Sequence, residues 1–127
     1  MRILVTGSRD WTDSYTVRGA LLGVAAGVKD VTLISGGCPD GADAIAELVA
    51  RRQGWAIETH VADWDGLGKR AGFIRNKAMV ESEPDVCIAF VKNQSRGASM
   101  TVDLAKEAGI PIELYTLDHY YIEARTD

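Results

Sequence analysis

Most clusters of glycine, aspartate and serine in this 127-residue chain fall in four short stretches: "TGSRDWTD" (Thr6–Asp13), "SGGCPDGAD" (Ser35–Asp43), "ADWDGLGK" (Ala62–Lys69) and "KNQSRGAS" (Lys92–Ser99). Each residue type suggests a job. In the first stretch, Gly7 lets a ligand approach the backbone and the Ser8 hydroxyl can bond a phosphate or ribose oxygen. Arg9 adds charge there, and Trp11 can stack on a base. The structural alternative pairs Arg9 with Asp10 or Asp13 and packs Trp11 at the rim.

The second stretch has the outline of a phosphate cradle, with Gly36, Gly37 and Gly41 ahead of a helix-like pattern, yet it carries Asp40 and Asp43. Negative charge opposes anion binding at a helix N-terminus. Asp40 is placed to cap the helix and Asp43 falls at its third position, a structural use for both. Otherwise one of them serves a ribose hydroxyl, a water or a cation. The fourth stretch has no carboxylate. Ser95, Gly97 and Ser99 open a helix beside Arg96, which makes this the better anion site, or else an ordinary serine cap. The third stretch and its helix supply Asp63, Trp64, Lys69, Arg75 and Asn76. On one continuous helix Lys69 and Arg75 cannot share a narrow face, and the Arg75–Asn76 pair is either functional or a solvated or interface pair.

The elements that must position these stretches alternate regularly. Strands are predicted over Arg2–Thr6, Val31–Ser35, Trp55–Val61, Asp85–Val91 and Ile110–Thr116. Helices are predicted over Ser14–Ala26, Gly41–Arg52, Leu67–Ser82 and Ala98–Ala108, with a short polar tail at the end. The first, second and fourth strands are nearly continuous apolar runs, the pattern of strands covered on both faces. The expected fold is α/β: a Rossmann-like, doubly wound, mainly parallel five-stranded sheet with helices on both faces, in one domain over residues 1–127. Ligands of such sheets bind beyond the carboxyl ends of the strands, where all four stretches fall.

Composition narrows the classes. The chain is 46% hydrophobic and 25% charged, as for an ordinary globular protein. The apolar run "ALLGVAAGV" (Ala20–Val28) is too short to span a membrane, and the amino-terminal residues lack the apolar core of a signal peptide, so a cytoplasmic location is expected. A net charge of −4 argues against a general nucleic-acid binder. A local basic cluster, "GKRAGFIRNK" (Gly68–Lys77), keeps single-stranded DNA open as a partner, with Lys69, Arg70, Lys77, Lys92 and Arg96 as a track and Trp11 or Trp64 stacking on bases. Cys38 and Cys87 form no metal pattern; Cys87 reads as core, and Cys38 has no base tied to it by sequence. There is no complete G-x-G-x-x-G fingerprint, hence no support for NAD redox chemistry, and no cofactor or metal is expected.

"GSRDW", "GGCPDGADAIA", "ADWDGLGKRAGFIRNKAM" and "FVKNQSRGASMTVDLAKEAGIPI", in that order over nearly the whole chain, resemble the YspA-related (YAcAr) branch of the SLOG superfamily. More distantly they are similar to the Lonely Guy phosphoribohydrolases and the DprA proteins. The resemblance implies a site for nucleoside phosphates or ADP-ribose-like molecules, and homo-oligomers. "RNKAM" looks like the RKxxM segment of Lonely Guy enzymes, which puts Arg75 in the place of their arginine. "SRGASMTVD" stands where their PGGxGTxxE motif would be, with Thr101 in place of the glutamate. Hydrolysis of an N-glycosidic bond would then need another carboxylate, Asp43 foremost, with Asp40, Asp10 and Asp103 as other candidates. The leading expectation is a binding or sensing domain for a nucleotide-derived ligand. The alternatives are a nucleoside-monophosphate N-glycosidase using Asp43 and Arg75, and a DprA-like single-stranded DNA binder.

Overall fold

The computed structural model describes residues 1–93 and 95–117; the predicted polar tail and Gln94 lie outside them. Five strands, β1 (Arg2–Gly7), β2 (Thr32–Ser35), β3 (Ala56–Thr59), β4 (Val86–Lys92) and β5 (Ile112–Leu117), form one sheet in the order β3-β2-β1-β4-β5. All four pairings are parallel. The strand order reverses between β1 and β4, so the molecule is a doubly wound, Rossmann-like α/β fold.

Alternation along the strands explains their unbroken apolar sequences. Ile3 and Val5 of β1, with Leu33, Ile88 and Phe90, face α1 (Ser14–Val24) and α2 (Gly41–Gln53), where Val17, Leu21, Ala46 and Ala50 complete one buried core. Leu4, Ile34 and Cys87 point the other way, against Met79 and Val80 of α4 (Ala71–Glu81) and Ala105 of α5 (Arg96–Glu107). Ala89 and Val91 meet Ala98 and Val102 of α5. Successive side chains feed opposite faces, and both faces are dry. Burial pushes the Cys87 thiol up to about 12, as suits a core position. Among the described residues no helix is long and apolar enough to cross a membrane.

Two elements differ from the sequence expectation. The third strand is only four residues, because its single neighbour β2 runs from Thr32 to Ser35 and pairing stops where the partner stops. The helix expected over Leu67–Ser82 is broken. A short helix α3 (Trp64–Leu67) and a 3-10 turn (Gly68–Arg70) precede α4. The Asp63 carboxylate caps α3 by accepting from the Gly66 N–H at 2.9 Å, and Gly68 takes φ 60°, which ends α3.

Capping also departs from expectation at two positions. Asp40 occupies the N-cap of α2 but its side chain makes no cap hydrogen bond. Asp13 is bound to the first turn of α1, accepting from the Thr16 N–H at 3.1 Å, rather than to Arg9. Asp43 does fall at the third position of α2, but its carboxyl bonds back across the loop, as the next section describes.

Candidate functional site

The loops at the carboxyl ends of the strands enclose a cleft of about 850 Å³ against the first turns of α4 and α5. Two glycines set how closely those loops meet. Gly41 has φ +73°, and a Cβ there would sit 2.6 Å from the Arg9 Cα and collide with the Ser8 carbonyl. A Cβ on Gly7 would lie 2.8 Å from the Phe90 carbonyl and inside the Ala42 side chain. The β1 and β2 loops are thus pressed together at backbone contact, and the Ala42 N–H donates to the Ser8 carbonyl at 3.3 Å.

Ser8 is buried and bonded to β4. Its hydroxyl accepts from the Lys92 N–H at 2.8 Å and donates to the Lys92 carbonyl at 3.2 Å, while its own N–H donates to Phe90. It clamps β1 to β4 at the wall of the cleft that it lines. Trp11 is not among the residues that line the cleft. It is 3% exposed, its ring lies 5.5 Å from Phe90, and its indole N–H donates to the Asp13 carbonyl. An indole with that much buried area belongs to the core.

Asp43 and Arg75 converge on Gly36. A Cβ on Gly36 would be 2.8 Å from the Arg75 Nη1 and 3.1 Å from the Asp43 Oδ2, so only the absent side chain leaves room for both. Arg75 is held at two points, Nε donating to the Asn76 Oδ1 at 2.8 Å and Nη1 to the Gly36 carbonyl at 2.9 Å. The Asp43 carboxyl accepts from the Cys38 N–H at 3.3 Å, a bond across the loop instead of a helix cap. Burial raises Asp43 to about 6, against the lowering effect of the Cys38 N–H and the Arg75 charge. A carboxyl in that range exchanges a proton near neutral pH, as general acid–base chemistry requires.

The first turn of α5 contrasts with that of α2. It has no acidic residue and no side-chain cap, and open space surrounds Gly97. Ser95, Gly97 and Ala98 of this turn line the cleft. Thr101 is fully buried and its hydroxyl donates back to the Gly97 carbonyl at 3.3 Å, so nothing acidic stands at that position. Asp103 is exposed and is not among the cleft residues.

Of the residues predicted from sequence, Gly7, Ser8, Arg9, Gly36, Gly37, Asp43, Arg75, Asn76, Ser95 and Gly97 line the cleft, whereas Trp11, Asp40 and Ser99 do not. Lys69 and Arg75 both line it, against the expectation for one helix, because the 3-10 turn reorients the backbone between them. The sequence reading left Phe73, Gly72, Met79 and Met100 unassigned. For α4 a signal existed: Gly72, Arg75, Asn76 and Met79 follow the i, i+3, i+4, i+7 spacing of one helical face. Cys38 lines the cleft beside Asp43. Among the described residues no cluster of three His, Cys, Asp or Glu could hold a metal ion.

A parallel sheet with a cleft at its reversal point defines the class, a Rossmann-like domain with its cleft where such folds take ligands. Comparison with known proteins narrows this further. The family model described as the YspA, cpYpsA-related SLOG family (YAcAr) matches residues 1–66. The "Gene 61 protein" of Mycobacterium phage D29 is 40% identical over 117 residues, covering 87% of this chain and 93% of the phage protein. The chain belongs to the YspA, cpYpsA-related SLOG family. No solved structure matches it.

Proposed function

We propose that the cleft binds a nucleotide-derived small molecule, a nucleoside phosphate or an ADP-ribose-like compound. The observation that carries this reading is the division of charge inside one cleft. The uncapped, acid-free first turn of α5 suits an anion, and the buried Asp43 on the α2 side suits hydroxyl groups. Arg75, already oriented by Asn76 and Gly36, adds a fixed cation between them. Family membership supports a nucleotide-related ligand.

Calorimetric titration with AMP, ADP-ribose and NAD tests it. Saturable binding that is lost in Arg75→Ala is expected, and absence of binding at millimolar ligand overturns it.

Asp43 favours a second reading, hydrolysis of an N-glycosidic bond. Its carboxyl is the buried one of the two that line the cleft, Asp10 being exposed. It could protonate the departing base or activate water as an oxocarbenium-like state develops, with Arg75 holding the phosphate. Incubation with AMP followed by chromatography decides this. Free adenine from the wild type and none from Asp43→Asn is the expected result, and intact AMP with the wild type ends the hydrolytic reading. The DNA-binding alternative gains no support: of Lys69, Arg70, Lys77, Lys92 and Arg96, only Lys69 lines the cleft.

A further inference from the structure

The cleft has an aromatic side that the anion and hydroxyl contacts do not use. Trp64 is 50% exposed and Phe73 is 45% exposed, and both line the cleft together with Val61. Large apolar side chains left this open beside charged groups invite a ligand with a flat apolar part. The indole is also seated. A Cβ on Gly72 would be 3.1 Å from the Trp64 Cη2 and 3.8 Å from Cζ3, so the missing side chain at Gly72 lets the six-membered ring rest on the start of α4. At its other side Trp64 opens α3, whose first turn is tied by the Asp63–Gly66 bond.

Strand order sets the separation. Trp64 follows β3 and Ser95 follows β4, with β2 and β1 between them. Three strand spacings come to roughly 14 Å. A phosphate alone at α5 would leave the indole uncovered. The cleft also holds Arg9, Lys69 and Arg75, which a wholly apolar ligand would leave desolvated.

We infer that Trp64, supported by Gly72 and flanked by Phe73, is a stacking platform for a heteroaromatic base, so that the ligand class is a base-bearing nucleotide rather than a sugar phosphate. This rests on the reading of the cleft as a nucleotide site. Trp11, the tryptophan that sequence favoured for the first loop, is in the core, and Trp64 takes over the stacking role.

The test compares AMP with ribose 5-phosphate by calorimetry on the full chain, using Trp64→Ala and Trp64→Phe. Expected is AMP affinity at least tenfold above that of ribose 5-phosphate, a loss of about tenfold in AMP affinity in Trp64→Ala, and recovery to within about threefold in Trp64→Phe. Ribose 5-phosphate affinity should move less than about twofold in both variants. Equal affinity for the two ligands, or an AMP affinity indifferent to Trp64→Ala, overturns the platform and leaves the nucleotide cleft standing. Failure of both ligands to bind overturns both. If Trp64→Ala separates an oligomer by sedimentation while AMP affinity holds, the indole is a subunit contact and the inference is wrong.

Discussion

At the scale of single residues the site turns on Asp43, Arg75 and the space left by Gly36. The Asp43 carboxyl is raised by burial from its ordinary value of 3.8 to about 6. The folded state therefore holds this proton between about pH 4 and 6 while the unfolded chain has released it. The stability it contributes is full below about pH 4 and is lost as pH rises through 6, a swing of about 3 kcal/mol. Asp43→Asn should remove that slope and leave the variant more stable than the wild type at pH 8, read by urea unfolding across pH 4–8. The Gly36→Ala prediction is geometric. The new methyl would stand 2.8 Å from the Arg75 Nη1, and the guanidinium, being the end of a flexible side chain, swings away. Because the methyl also stands 3.1 Å from the buried Asp43 Oδ2, the expected result is a stability loss of about 1–2 kcal/mol with ligand affinity reduced about tenfold or more, since a charge-assisted contact is worth about 1.5–3 kcal/mol. Melting temperature and calorimetry on the same sample check both halves.

At the scale of elements, the β1 and β2 loops act as one unit because they touch through backbone. Gly41→Ala adds a Cβ at φ +73° and within 2.6 Å of the Arg9 Cα, neither of which a side-chain rotation can relieve. A loss of about 3 kcal/mol or more in urea unfolding is expected. Gly97→Ala, in the open first turn of α5, is the contrast: a Cβ there meets nothing within 4 Å, so stability should stay within about 0.5 kcal/mol or rise. Any change in its ligand affinity then reports on crowding of the anion end of the cleft. The broken third helix acts at this scale too. It is the 3-10 turn over Gly68–Arg70, ahead of α4, that lets Lys69 share one cleft with Arg75.

At the scale of the whole molecule, ligand binding should be visible as stability, because a ligand that binds only the folded state stabilises it by mass action. At about 100 times Kd the gain is about 2.7 kcal/mol. For a chain of this size that is a rise of order 10 °C in Tm, and Arg75→Ala should abolish it. The net charge of −4 bears on the alternative partner. If oligonucleotides bound through a basic track, affinity would fall steeply between 50 and 200 mM salt; fluorescence anisotropy with a labelled single strand should instead find negligible binding at physiological salt.

The fold was legible because its signals are local. Ile3, Leu4 and Val5 in unbroken succession announce a strand covered on both faces, and glycine, serine and aspartate after each strand mark its ligand-facing end. Residue type and spacing likewise singled out Asp43, Arg75 and Gly97. What the sequence could not settle was direction. Trp11 and Trp64 look alike as loop tryptophans, yet one is sealed against Phe90 and the other stands open in the cleft. Ser8 reads as a ligand hydroxyl until β4 arrives beside it and takes both of its hydrogen bonds. The aspartates of "SGGCPDGAD" read equally as caps or as partners of a hydroxyl, water or cation until Asp43 is seen buried on the Cys38 N–H and Asp40 exposed. The outcomes for Trp11 and Ser8 depend on a strand distant in the chain, through Phe90 and Lys92, whereas Asp43 is bonded within its own loop and meets the distant Arg75 only across Gly36. Local sequence determines which elements form and what chemistry they carry, but which side of a loop is buried is decided only when parallel strands bring distant backbones into contact.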